Sequence, residues 1–526
     1  MQPTVGISLE GLKLMAETTA GRIQTDLKPN AIGLMGVTMQ AITHIAPAIA
    51  ALFFTQFLVT LAGLTAPLAY VVAVVIVLML GNTLIQFSRQ LPSAGGYYTY
   101  VSRSLGARMG FLTSWMFILY SPMAGGVVCG FFGFIVAGEL KTAYNIDVPW
   151  LWAAAIIIGG ATVAFLQYRG IELSARTLLI TGGAEILIVL ALAISGFLNP
   201  GPGGFSLSVF NPGNIGVSTT LGLSGFTLGI VLAVQGLTGW EAAAPLAEET
   251  REPKRNVPRS VILAIVILGV FLVFTYWGVM TGFGVNNVQG IQKSPDLPGL
   301  ALARNLWGGG WWLILIAFLS STLAVTLATA NVSTRMWYSM GRNGAFPKFF
   351  AKVHPTLKTP TNAIYAQLTL TLVSGLVAGW WFGRGSGTAA PDVAFFFLSG
   401  LVLVIGVAFV YLAANVGVIV YYWREKRSEF SWLWHAALPV VSGVVLLYAL
   451  YEGFPPGCPP INCPADPYAK APIFDGVWLL IGIGVLVFYA VTGREKWVKT
   501  AGAALGESED DLAMARVGPA GTSAKV

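Results

Sequence analysis

The sequence predicts an all-α integral membrane protein of about 12 transmembrane helices, and three observations predict it. The chain of 526 residues is 55% hydrophobic and 10% charged, against about 25% charged residues in soluble domains. That much apolar surface exceeds what one water-soluble core can hide, whereas a bilayer accommodates it. The apolar residues fall in long continuous runs, each near the roughly 20 residues that a spanning helix needs. The cations are unevenly distributed: with alternating loops, 25 of the 30 Lys and Arg fall on one side. This is the positive-inside pattern of a multi-pass protein, and it accounts for the net charge of +7 without a nucleic-acid partner.

The runs are 31–60, 66–88, 106–138, 150–167, 175–197, 222–247, 258–282, 308–334, 362–382, 393–421, 432–451 and 474–492. None alternates with the period of two that marks a membrane β-barrel. Residues 1–30 are polar, with Glu10, Glu17 and Asp26, and lack the apolar core of a signal peptide. They are expected to be a loosely ordered N-terminal tail on the cytoplasmic side of the cell membrane. An even number of spans returns the tail 493–526 to the same side, and 501–526 is expected to be disordered.

Runs one and six are interrupted. The first contains Thr43 to Ala50 (THIAPAIA), the sixth Gln235 to Pro245 (QGLTGWEAAAP). Gly and Pro weaken or remove helical hydrogen bonds. In lipid the freed groups are tolerated only where protein or water satisfies them. Interruptions at matching places in two halves mark a transporter binding site. Their offset of five spans is odd, so the second half enters the membrane inverted. Two ordinary proline kinks are the alternative.

Other residues carry less. Cys129 lies in an apolar run and reads as packing. Cys458 and Cys463, in an outward loop, are expected either to form a disulfide or to remain two free thiols. His44, His354 and His435 lie far apart, so no metal centre is expected, and no cofactor. No HExxH, Gly-x-Ser-x-Gly or phosphate-binding loop is present, so neither an enzyme nor ATP coupling is expected. Glu248, Glu249, Arg251, Glu252, Lys254 and Arg255 form either a charge lock, with Arg89, Arg103 and Arg335 as partners, or a solvated loop. Nothing in the sequence speaks to oligomeric state.

Leu91 to Phe111, Gln167 to Thr177, Gly236 to Val261 and Ser333 to Ala363, in that order along the chain, resemble the amino acid–polyamine–organocation (APC) transporters. LPSAGGYYTYVSRSLGARMGF (Leu91 to Phe111) is similar to the family's Pro-x-x-Gly-Gly-x-Tyr stretch. QYRGIELSART (Gln167 to Thr177) resembles its entry into the fifth helix. GLTGWEAAAPLAEETREPKRNVPRSV (Gly236 to Val261) resembles its sixth helix and the loop that follows. STRMWYSMGRNGAFPKFFAKVHPTLKTPTNA (Ser333 to Ala363) resembles the end of its eighth helix. The resemblance implies a LeuT-type 5+5 inverted repeat with discontinuous first and sixth helices. Its halves would be 31–197 and 222–421, with 432–492 as two further helices. It also implies a secondary active transporter importing an amino acid or related small zwitterion or amine by alternating access.

By the same resemblance, His44, Ile45, Ala46, Pro47 and Ala48, with Gln235, Gly236, Gly239 and Trp240, hold the substrate through freed backbone groups. The family often has Gly-x-Gly where this chain has His44 to Ala48. Gln235 reads as a substrate contact or an inter-helix hydrogen bond, Trp240 as a lid or as packing, and His44 as a pH-sensitive contact or a satisfied neutral histidine. Glu241 is expected to order the interruption or to gate. Glu185 stands where some relatives carry a lysine, and three readings are open. It loads a coupling proton, it ligates Na⁺ with Ser321, Thr322 and Thr326, or it makes a structural hydrogen bond. Neutral or apolar amino acids are favoured over polyamines, because the pocket lacks a spare acid. A carrier of polyamines, other organic amines or cations, Na⁺-coupled or exchanging, is the alternative. A channel and a solute sensor are the readings outside that class.

Overall fold

The computed structural model describes residues 23–294, 297–386, 393–454 and 468–517. Among them there is helix and no strand. The long helices are α1 (Leu34–Ile45), α2 (Phe54–Ala62), α3 (Ala66–Gln90), α4 (Tyr97–Leu105), α5 (Ala107–Tyr144), α6 (Leu151–Arg169), α7 (Ile171–Leu198), α8 (Gly222–Gly236), α9 (Pro253–Phe283), α10 (Trp312–Asn343), α11 (Thr361–Ser386), α12 (Val393–Arg424), α13 (Leu438–Gly453), α14 (Ala471–Val491) and α15 (Glu509–Val517). Ten stretches among the described residues are long and apolar enough to cross a membrane. One of them, Leu34–Gln90, is 57 residues long. At about 1.5 Å per residue that is far more than a single crossing of about 30 Å requires. It bends back at Gly63, whose φ of 58° suits glycine.

Two of the helices stop partway through the bundle. α1 ends at Ile45, where Ala46 turns left-handed (φ 59°, ψ 72°) and its N–H bonds back to Thr43. Pro47 follows and has no N–H to continue the ladder. The chain resumes as a wide turn, Ile49–Phe53, and then α2. That wide turn frees the Ala50 carbonyl, which accepts from the Tyr276 hydroxyl at 2.9 Å. α8 ends at Gly236, and the chain continues as a tight 3₁₀ run, Trp240–Glu249, after Gly239 at φ 134°. A Cβ on Gly239 would lie 2.8 Å from both the His44 carbonyl carbon and the Ile45 nitrogen. Backbone packs on backbone there, and only glycine allows it.

At the end of the bundle that carries most of the cations, Ile32 and Thr250 form an isolated bridge, so the two interrupted segments are joined. Glu249 and Arg335 form a fully buried bidentate pair at 2.8 Å. Glu248 pairs with Arg342 at 2.8 Å, a partner the sequence reading did not name. Arg103, expected to face this cluster, goes elsewhere. It is clamped by Glu425 and Glu507, each at 2.9 Å. Burial alone would lower its pKa, but the two carboxylates hold it above its ordinary value.

The expectation of a disordered 501–526 fails for 501–517. The Leu505 N–H bonds to the Pro92 carbonyl, and Gly506 and Glu507 exchange backbone hydrogen bonds with Ile23. Ala501, Ala503, Ala504 and Leu512 are buried. Part of the supposedly loose N-terminal tail is likewise docked: Leu27 is buried, and the Asp26 N–H reaches the Tyr338 hydroxyl at 3.0 Å. The polar composition of both tails concealed a few small apolar residues that suffice when a ready-made surface receives them. Cys458 and Cys463 lie outside the described residues. Cys129 is buried, its Sγ 3.5 Å from the Ile156 carbonyl.

Candidate functional site

Where α1 and α8 stop, the chain leaves a cavity of about 110 Å³. Its wall comes from five directions: His44, Ile45 and Ala46 from the first interruption, Gln235 and Thr238 from the second, Tyr120 from α5, Thr329 from α10 and Gly400 from α12. Apolar side chains, including Phe54 and Val127, complete it. Ligand pockets usually measure about 300–1,000 Å³, so this space is smaller than a typical ligand pocket.

His44 occupies the last turn of α1 and is buried. Its ring lies parallel to Tyr120, with centroids 6.1 Å apart, and its Nδ1 has no hydrogen-bond partner. An unpartnered buried ring nitrogen beside a cavity is available to an occupant. Gln235 lies at the end of α8, and its amide nitrogen would be 3.1 Å from a Cβ placed on Gly400 of α12. Pro47, Ala48, Gly236, Gly239 and Trp240, expected at the substrate, stay out of the cavity wall. The two glycines lie at the break itself, Gly236 ending α8 and Gly239 at φ 134°. Trp240 is buried and stacks on Tyr411 at 5.3 Å, so in this conformation it packs and does not cap.

Glu241 binds protein, not solvent. It accepts from the Tyr120 hydroxyl and from the Gly239 N–H. It therefore ties the second interruption to α5. Glu185 lies behind the first interruption. It is completely buried, one oxygen faces the Ala48 N–H at 3.5 Å, and the other has no partner. Ser321 adjoins it, its hydroxyl toward the carboxyl but outside hydrogen-bond geometry. Thr322 and Thr326 do not join them. Thr322 donates back to Leu319, and Thr326 to Thr322. The reason is helical geometry: at about 100° per residue, positions 322 and 326 lie roughly 100° and 140° round the helix from 321.

Sequence reasoning missed three contributors. Tyr120 bridges cavity and Glu241, and the only hint was Pro122 breaking the pattern of its run. Thr329 presents no motif at all. Gln40 on α1 donates to the Ala328 carbonyl at 2.8 Å and accepts from Asn331 at 3.1 Å. Asn331 in turn accepts from Arg335. A polar chain thus runs from α1 to the buried Arg335–Glu249 pair.

The amino acid permease family matches residues 32–468. The chain is 25% identical over 444 residues to a branched-chain amino acid permease of Bacillus subtilis, covering 81% of this chain and 86% of that one. It is 23% identical over 407 residues to a low-affinity putrescine importer of Escherichia coli, covering 75% and 82%. It is 24% identical over 354 residues to an L-methionine/branched-chain amino acid exporter of Escherichia coli, covering 66% and 76%.

Proposed function

The chain belongs to the amino acid permease family, and from that premise we propose a secondary active transporter that imports a neutral, apolar amino acid by alternating access. One observation carries the choice of substrate. The cavity between the two interruptions is walled by apolar groups, His44, Tyr120, Gln235, Thr238 and Thr329, without a carboxylate. A diamine such as putrescine would leave two ammonium groups there without counter-charges, at a cost of several kcal/mol each. A zwitterion balances its own charge and needs only dipoles, which helix ends supply. The relatives that carry branched-chain amino acids agree with this reading; the putrescine importer is the alternative.

The proposal includes proton coupling through Glu185, with Ser321 beside it. Its unpartnered oxygen supports the assignment. It also includes an inverted repeat, 31–197 against 222–421, with 432–492 appended and both tails cytoplasmic. Counting two crossings in Leu34–Gln90, and adding Thr361–Ser386, raises the ten apolar stretches to twelve.

Counterflow in proteoliposomes tests the reading. Vesicles loaded with unlabelled isoleucine should accumulate labelled isoleucine transiently and leave labelled putrescine outside. Preference for putrescine would move the assignment to amines. Flux of either solute that does not saturate and shows no counterflow would replace the carrier by a channel.

A further inference from the structure

Asp475 stands apart from everything assigned above. It lies four residues into α14, at the end of the bundle away from the basic face, and is 3% exposed. Both of its carboxyl oxygens are buried without a hydrogen-bond partner. Its own helix turns Ile473, Phe474 and Val477 outward and sets Asp475 inward against α5 and α12. Gly406 of α12 makes the space: a Cβ there would lie 3.6 Å from the Asp475 Oδ1 and 3.3 Å from the Met116 carbonyl oxygen of α5.

Among the described residues packed against the carboxyl there is no cation. α5 presents Met116 and Leu119, and its nearest titratable group, Tyr120, is bonded to Glu241. α12 presents Gly406, and its nearest titratable group, Tyr411, stacks on Trp240. On its own chain segment the nearest charge is Lys470, five residues earlier and before α14 begins. Among the described residues no three acids or histidines gather to hold a metal ion.

An ionised carboxylate without donor or counter-charge in such a seam would cost several kcal/mol, and a neutral carboxyl avoids that cost. We propose that Asp475 is a proton-binding site of this protein, separate from the central cavity and from Glu185. It holds its proton while α14 is closed on α5 and α12, and exchanges it with the adjacent aqueous side when that seam parts. The seam has a clasp: Trp115 and Trp478 stack at 4.7 Å, and each donates its indole N–H to the other's carbonyl at 2.8 Å. Met116 at the seam and Tyr120 at the cavity wall occupy successive turns of α5. The inference stands whether or not Glu185 couples transport.

Asp475 is the one aspartate within the membrane-spanning stretches of the described residues, which gives a direct test. The full chain, carrying ¹³C in its aspartate carboxyls only, is reconstituted and followed by infrared spectroscopy as pH is raised. The expected result is an isotope-shifted band of a protonated carboxyl at neutral pH, insensitive to Na⁺, that gives way to carboxylate bands at higher pH. Asp475→Asn should lose that band and keep those of Glu185 and Glu241. The wild-type spectrum decides the matter even if the variant fails to fold. Absence of a protonated aspartate band at neutral pH overturns the proposal. So does a band that persists until the protein unfolds, since the site would then not exchange.

Discussion

Glu185 and Glu241 are both buried acids beside interrupted helices, yet their surroundings separate them. Glu241 has two donors, while Glu185 has one long contact and one oxygen without a partner. Glu185→Gln is therefore expected to abolish gradient-driven uptake of isoleucine while leaving its stabilisation of the purified protein against heat unchanged. Equal loss of both would make Glu185 structural. Tyr120→Phe removes the hydroxyl that donates to Glu241, a loss of about 0.5–1.5 kcal/mol for a typical hydrogen bond. Thermal unfolding should report it, and Tyr100→Phe serves as the control, since the buried Tyr100 hydroxyl has no hydrogen-bond partner.

At the level of elements, the meeting of two interruptions depends on Gly239. Its φ of 134° and the 2.8 Å approach of its missing Cβ to the α1 backbone leave no room for a side chain. Gly239→Ala combines backbone strain of about 1–3 kcal/mol with displacement of the first interruption. The expected result is lost transport with retained membrane insertion, since the apolar runs are untouched. Uptake within twofold of the parent would show that the two interruptions need not touch. Arg335 on α10 ties the end of the second interrupted segment through Glu249. Arg335→Ala leaves a carboxylate buried and unpaired, which costs about 3–5 kcal/mol. Arg335→Lys should recover only part, because the pair uses both Nε and Nη2. Unfolding temperatures of the three proteins in detergent order them.

On the scale of the whole molecule, the tails close the basic end. Glu507 brings the C-terminal segment to Arg103, whose other partner, Glu425, belongs to the segment after α12. Removing residues 501–526 uncovers Arg103 and the surface that Ala501, Ala504 and Leu512 cover. The shortened protein is expected to insert and transport, but to be cut faster by protease added on the basic side. Unchanged cleavage would show that the strap does not hold that end together.

The sequence by itself determined that the chain spans a membrane, roughly where each helix lies, and which two are interrupted, because those features follow from local composition and from the backbone chemistry of Gly and Pro. The same local logic placed His44, Ile45, Ala46 and Gln235 at the interruptions that wall the cavity. It could not order the hydroxyls of Ser321, Thr322 and Thr326, find Tyr120, Thr329 or Asp475, or choose Arg342 as the partner of Glu248. Those depend on which faces of distant helices meet, and only the packed bundle decides that. It also decided the tails: a polar segment too poor in apolar residues to fold alone becomes ordered once the helices present a surface with buried charges to satisfy.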